Sequence, residues 1–282
     1  QGIELEVGYK LSVDKVNLSF LANASYVKNE IKNLGNQTGY IDKESLPTLG
    51  TVSRNENGYP IGYFFGYKAI GVFQTQEEID NYISPATGKP IQPNAVPGDT
   101  KFEDLNGDGV ISDDNEDRTM IGKPNPDWMV GLTVAADWNG FDLSAFFQGS
   151  FGADVFDALR RYELAAVNYT SDALERWTGP GTSNSMPRIV LGDTPKNFRP
   201  STLLVHDASF LRLRNLQVGY TLPAQLTRKA YIQRLRFYAS FDNLLTITGY
   251  KGMDPEIGST MGIDKGVYPQ ARVYTFGLNL TF

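Results

Sequence analysis

From Arg272 to Phe282 the chain alternates without a break. Tyr274, Phe276, Leu278, Leu280 and Phe282 fall on one side of an extended segment, and Val273, Thr275, Gly277, Asn279 and Thr281 on the other. Side chains point to opposite faces along a strand, so this segment has one greasy face and one small, mostly polar face. It ends on an aromatic, whereas the ends of soluble domains tend to fray into polar tails. The combination fits the closing strand of a membrane β-barrel, apolar toward lipid, polar toward the lumen and aromatic at the interface. The five aromatic and leucine residues are the expected lipid contacts.

The same alternation recurs upstream. Ile3, Leu5, Val7, Tyr9 and Leu11 share one face, as do Val16, Leu18, Phe20, Ala22, Ala24 and Tyr26. Trp128, Val130, Leu132, Val134, Ala136 and Trp138 form a third apolar row, and Phe141, Leu143, Ala145 and Phe147 a fourth. Leu216, Val218, Tyr220 and Leu222 make a fifth, with Leu211 and Leu213 on the opposite phase, which predicts a bulge near Arg214. Leu235, Phe237, Ala239 and Phe241 make a sixth. Strands are therefore expected near 2–12, 15–28, 127–138, 141–151, 208–222, 233–246 and 270–282. Each has about ten residues or more, the length a tilted membrane-spanning strand needs. Trp128, Val130, Leu132, Val134 and Trp138 are expected to face lipid.

Connections alternate between short and long. Turns fall around Val13-Asp14, Asn139-Gly140 and Pro223 to Tyr231. Asn-Gly is a strong hairpin dipeptide because both residues tolerate positive φ. Excursions cover 28–125, 151–207 and 247–268. Short turns at one rim and long loops at the other are the outer-membrane arrangement, with the loops extracellular. A soluble β-sandwich is the competing architecture, but its strands are usually about five or six residues long.

Composition narrows function by exclusion. The 282 residues include no Cys and one His, with a formal net charge of -6. Disulfides, thiolate zinc sites and multi-His metal sites are excluded, and the acidity argues against a nucleic-acid partner. No stretch approaches 18 apolar residues, so no transmembrane helix is expected. A mean hydropathy of -0.30 is compatible with a barrel, half of whose strand positions are polar. The chain begins Gln1-Gly2-Ile3 on a strand pattern, with no initiator Met or signal peptide, and is expected to be part of something longer or a processed product. Single-chain bacterial barrels have an even number of strands, eight or more, so roughly seven strands leave an edge that needs a partner. The fold class is all-β: C-terminal antiparallel strands of a large transmembrane β-barrel, incomplete in this chain, with long extracellular loops.

Several runs carry a family resemblance. Asp207-Ala-Ser-Phe-Leu-Arg-Leu-Arg-Asn-Leu-Gln-Val-Gly-Tyr-Thr-Leu-Pro223, Phe241-Asp-Asn-Leu-Leu-Thr-Ile-Thr248 and Tyr274-Thr-Phe-Gly-Leu-Asn-Leu-Thr-Phe282 resemble the C-terminal region of SusC/RagA-type TonB-dependent outer-membrane receptors. Pro97 to Ile111, Asp117 to Pro126, Gly58 to Tyr67 and Gly71 to Glu78 are similar to the family's long loop. The resemblance implies a plugged barrel of about 22 strands in the Gram-negative outer membrane. It implies an N-terminal part with a plug and a TonB-contacting segment, and a SusD-like surface lipoprotein as partner. It also implies import of oligosaccharides or peptides.

Residues that could bind or react are few. In Asp104-Leu-Asn-Gly-Asp-Gly-Val-Ile-Ser-Asp-Asp-Asn115, the residues Asp104, Asn106 and Asp108 take positions 1, 3 and 5 of a Ca²⁺ loop. Gly109 supplies the turn, Val110 a carbonyl and Ser112 the ninth position. Position 12 is Asn115 instead of Glu, leaving Asp113, Asp114, Glu116 and Asp117 as candidate closing ligands. An Asx-rich turn with solvated carboxylates is the alternative. His206 lacks a Gly-x-Ser-x-Gly nucleophile and fits a loop histidine. Glu4, Glu6, Asp137 and Asp142 fall on the lumen face, where Arg234, Arg236 and Tyr238 can join them. The aromatic run Tyr59, Tyr63, Phe64, Phe65, Tyr67 and Phe73 suits either sugar stacking and partner contact or a loop core. Residues 153–177 are expected to form short helices. Import without a chemical step is the leading function. A Ca²⁺-stabilised extracellular glycan-binding β-domain and a two-carboxylate glycosidase are the alternatives, and no organic cofactor is expected.

Overall fold

The computed structural model describes residues 1–114, 116–257 and 261–282. Asn115, the twelfth position of the acidic loop, lies outside them. One sheet holds seven strands: β1 (Gly2–Val13), β2 (Val16–Val27), β3 (Trp128–Trp138), β4 (Phe141–Phe151), β5 (Phe210–Thr221), β6 (Arg234–Thr248) and β7 (Val273–Thr281). Their spatial order is their order in the chain, and every neighbouring pair is antiparallel. The meander leaves β1 and β7 as its two edges.

Turn chemistry sets the register at the short-turn rim. Asn139 and Gly140 have φ of 48° and 89°, the left-handed pair a two-residue hairpin needs. A Cβ on Gly140 would also stand 2.8 Å from the Thr221 carbonyl oxygen. The turn brings Trp138 opposite Phe141. The bulge falls where the phase of the leucines changes. Leu213 pairs with Phe147 and Asn215 with Phe146, so Arg214 is left over. The register between β5 and β6 shifts at the same level, beside Asn243 with φ of 52°.

Aromatics gather at both ends of the strands. The rings of Tyr26 and Trp128 lie 5.0 Å apart at the loop end. At the turn end Trp138 stacks 6.2 Å from Phe141, which lies 4.4 Å from Tyr220. The apolar row of β3 keeps Trp128, Leu132 and Trp138 exposed and Val130 and Val134 half-buried. Tyr274, Phe276, Leu278, Leu280 and Phe282 are all exposed. Among the described residues no second layer covers this face.

Instead, the packed cores lie in the excursions. Leu46, Val52 and Phe64 from the first, Phe156, Ala158 and Leu204 from the second and Ile263 from the third form one cluster. Tyr63, Phe64, Phe65, Tyr67 and Phe73 are buried, so the aromatic run serves as loop core and only Tyr59 stays half-exposed. Residues 153–177 depart from the helical expectation. Asp154–Asp157 is a strand, paired with Val205–Asp207 on one side and Ile263–Asp264 on the other. Helical turns there are confined to the 3-10 segment Ser171–Glu175. Burial of Val155 and Phe156 in the clusters overrides the local helix preference. Among the described residues no helix is long and apolar enough to cross a membrane.

Candidate functional site

The polar face of the sheet is tied together by ion pairs across strands. Arg236 on β6 donates from Nε to Asp142 Oδ1 on β4 at 2.8 Å and from Nη2 to Gln217 on β5 at 3.0 Å. The pair crosses over Gly219, where a Cβ would come within 2.5 Å of both the Arg236 guanidinium and the Asp142 carboxylate. Tyr238 likewise covers Gly277 on β7. Asn215 donates to Ser240 and Asp242 at 3.0 and 2.7 Å. Asp142 is thus committed to a guanidinium. Asp137 sits opposite it in register, and Glu4, Glu6 and Arg234 stand exposed on their strands.

A second network joins this face to the third excursion. Arg212, 2% exposed, donates to Thr246 at 2.9 Å, to Glu256 at 3.0 Å and to Asp254. Arg214, freed by the bulge, donates to Gln148 and to Glu256, each at 2.6 Å. Two cations on β5 therefore hold two carboxylates of the segment after β6. Removing one partner of such a buried pair typically costs ~3–5 kcal/mol. Sequence reasoning missed this clamp. The available signal was two arginines in a membrane-length strand, since intramembrane charges need partners.

Between the first and second excursions arginines alternate with aromatic rings. The Arg54 guanidinium lies 4.1 Å from the Tyr40 ring centre and 3.6 Å from that of Phe65. Arg118 lies 4.3 Å from Phe65 and 5.7 Å from Tyr67, and Arg199 4.8 Å from Tyr67 and 4.9 Å from Phe102. Cation–π attraction strengthens as such groups are desolvated. Burial pulls the Arg118 guanidinium down to about 10, so it stays charged at neutral pH. His206 lies in the strand Val205–Asp207, with Nε2 3.6 Å from Asp157 Oδ2.

The acidic loop is a series of Asx turns. Asp104 accepts from the Gly107 and Gly109 N–H groups at 2.8 and 2.9 Å, Asn106 from Asp108 at 3.0 Å, and Asp108 from Val110 at 2.9 Å. Asp117 is buried and accepts from Leu105 and Ser112 at 3.1 and 2.9 Å. Lys196 engages Asp113 and holds its carboxyl below the usual range. Asp114 is lowered by its bonds from the Ser112 hydroxyl and the Glu116 N–H. Glu116 also reaches back over the turn: the Asn106 amide nitrogen donates to Glu116 and to Asp108, each at 3.0 Å. Among the described residues no three His, Asp or Glu side chains already converge as a metal-ligand set.

No family model matches the chain. TonB-dependent receptor P3 of Formosa agariphila is 35% identical over 236 residues, covering 80% of this chain and 22% of the relative. SusC of Bacteroides thetaiotaomicron is 30% identical over 287 residues, covering all of this chain and 26% of SusC. The solved RagAB peptide transporter superposes over 100% of this chain and 29% of its own, with 26% identity and a TM-score of 0.75. The chain spans about a quarter of the length of the relatives it matches. These relatives are receptors and transporters, not enzymes, and a freestanding glycan-binding domain finds no support among them. With these identities over most of its length, the chain belongs to the SusC/RagA-type TonB-dependent receptors of the Gram-negative outer membrane and contributes strands of their barrel.

Proposed function

We propose that residues 1–282 form the C-terminal part of a barrel that imports oligosaccharides or peptides, with this segment supplying wall, lumen lining and extracellular loops and performing no chemical step. The observation that carries this reading is the seven-strand meander with two unpaired edges, matched along its whole length by a transporter. In lipid an open edge is untenable, because each unpaired backbone group costs several kcal/mol. β1 and β7 therefore pair with strands of the remaining receptor, whose N-terminal part carries the plug and the TonB contact. A SusD-like lipoprotein is the expected extracellular partner, seated on the loops. Uptake of labelled oligosaccharide and peptide pools, compared in cells with and without TonB and with and without the receptor, tests the proposal. Uptake independent of either protein would sink it.

The acidic loop is proposed to take a divalent cation, Ca²⁺ by its oxygen donors, as a brace for the loop assembly. Support comes from Asp104, Asn106 and Asp108 sharing one turn, with the Val110 carbonyl and Ser112 beyond it. Turning the Asn106 amide over would replace its nitrogen by oxygen between the Asp108 and Glu116 carboxylates. Hard oxygens gathered this way suit Ca²⁺, and the need to rearrange implies modest affinity.

A further inference from the structure

We infer that the connection between β5 and β6 is a docking surface for anionic phospholipids of the periplasmic leaflet; this rests on the barrel orientation above, with the short turns in the periplasm. The other two turns at this rim are minimal. Asp14-Lys15 joins β1 to β2, and Asn139-Gly140 joins β3 to β4. Two residues suffice to link antiparallel neighbours. The third connection runs from Leu222 to Gln233 and builds a short helix, Ala224–Thr227, continued by the 3-10 turn Arg228–Ala230.

The segment is ordered by its own bonds. Thr227 is buried, and the helix packs on β6. The Leu226 N–H donates to the Pro223 carbonyl at 2.9 Å and the Ile232 N–H to the Thr227 carbonyl at 3.2 Å. Gln233 then donates to the Thr281 carbonyl at 2.8 Å and returns the chain to the sheet. Tyr231 closes the turn at φ 58° and ψ 24°, a left-handed conformation uncommon for a bulky side chain. What this frame presents outward is apolar. Leu226 is 63% exposed and Tyr231 89%.

Depth and charge identify the occupant. Trp138, Phe141 and Tyr220 form the aromatic rim next to this connection, which marks the edge of the hydrocarbon. From Tyr220 to Pro223 three steps of ~3.3 Å, tilted by ~40°, descend about 8 Å. The headgroup layer is roughly 5–8 Å thick on each side of the bilayer. The helix therefore lies at headgroup level, continuous with the lipid-facing row that ends at Tyr220 and Leu222. Between Asp207 and Asp242 the chain has no acidic residue. Arg228 and Lys229 are exposed and, among the described residues, paired with no carboxylate. An exposed Leu and Tyr beside two unpaired cations match the boundary where apolar chains meet anionic headgroups.

Hydrogen exchange on the full-length receptor tests this, in vesicles of phosphatidylcholine alone or mixed with phosphatidylglycerol. Amides of residues 224–233 should exchange about tenfold or more slowly in the anionic vesicles, since two cations at a charged surface correspond to a roughly thirtyfold preference. The difference should vanish at high salt and in Arg228→Gln with Lys229→Gln, while β5 and β6 keep their protection. Leu226→Ser with Tyr231→Ser should speed exchange of the segment in both vesicles. Equal exchange in the two vesicles, a difference that persists in the double glutamine variant, or no effect of the double serine variant would overturn the inference. So would full protection already in detergent, which means cover by the receptor's own N-terminal part. Inorganic phosphate reproducing the slowing in phosphatidylcholine would overturn it in favour of a free-anion site. Both leaflets of these vesicles carry the same lipids, so the result does not depend on import, and failure here is distinct from failure of the transport reading.

Discussion

Arginine at Val134 should destabilise the folded receptor in a bilayer far more than arginine at its neighbour Thr133. β3 runs from Trp128 to Trp138. Ten steps at ~3.3 Å make about 33 Å, and a tilt of ~40° projects this to about 25 Å, the height of a barrel's apolar band. Val134 lies four residues from Trp138, about 10 Å inside the band and close to its middle. It shares its face with the exposed Leu132 and is flanked in register by Phe20 and Ala145. Arginine there meets hydrocarbon near the midplane, where the cost is about 2–4 kcal/mol. Thr133, equally central, lies on the polar face between Leu21 and Phe146, where a guanidinium can reach lumen water. Folding of the full-length receptor from urea into lipid bilayers gives both free energies. Equal costs at the two positions, or a larger one at Thr133, would refute the assignment of faces for β3 and for the strands registered to it.

Three further outcomes are expected. Arg212→Met should cost about 3–5 kcal/mol and raise hydrogen exchange in residues 249–257 and 261–272, because Asp254 and Glu256 lose their buried partner; unchanged exchange there would show that the clamp does not hold the segment. Asp104→Ala with Asp108→Ala should loosen residues 97–114 while the long strands stay protected, and chelator should act like the double substitution; a loop indifferent to chelator and without metal in anomalous scattering is a solvated turn. Asp193, raised by burial to about 6, is more easily ionised in the unfolded chain than in the fold. Its neutral form therefore favours the fold below about pH 4, and that advantage is lost as pH rises to about 6. Asp193→Asn should flatten this part of the stability profile of the loops, read by exchange at the two pH values.

What was legible in the sequence follows from the physics of each signal. The strands could be read because a sheet between lipid and water imposes strict alternation over ten residues, visible within each segment. The bulge at Arg214 could be read because an inserted residue reverses the phase of Leu211 and Leu213 against Leu216 and Val218. The clamp from Arg212 to Asp254 could not, because nothing local selects a carboxylate some forty residues away. The helical expectation at 153–157 failed for the same reason. Val155 and Phe156 are drawn into strand pairing with Val205–Asp207 and Ile263–Asp264, partners that lie in distant segments. The aromatic run was ambiguous because a ring suited to a ligand is also suited to a core, and only the company of Phe156, Leu204 and Ile263 settles the fate of Phe64. In the acidic loop the evenly spaced donors were visible, but the role of Glu116 depends on a side chain folding back toward Asn106.

A sheet with lipid on one side and water on the other has no core of its own, so packed order must be built elsewhere. Here it is built from all three excursions at once. Phe64, Phe156 and Ile263 come from different loops and bury one another, and the strand Asp154–Asp157 takes backbone pairs from two of them. Shifting any one loop therefore strips apolar contacts from the other two, at ~25 cal/mol for each Å² re-exposed. The assembly meets the barrel through Arg212 and Arg214, whose carboxylate partners Asp254 and Glu256 lie in the third excursion with Tyr250, which bonds Asp264 at 2.7 Å. The inner wall at β5 is thus tied to the loops through a few buried charges on the polar face of the sheet.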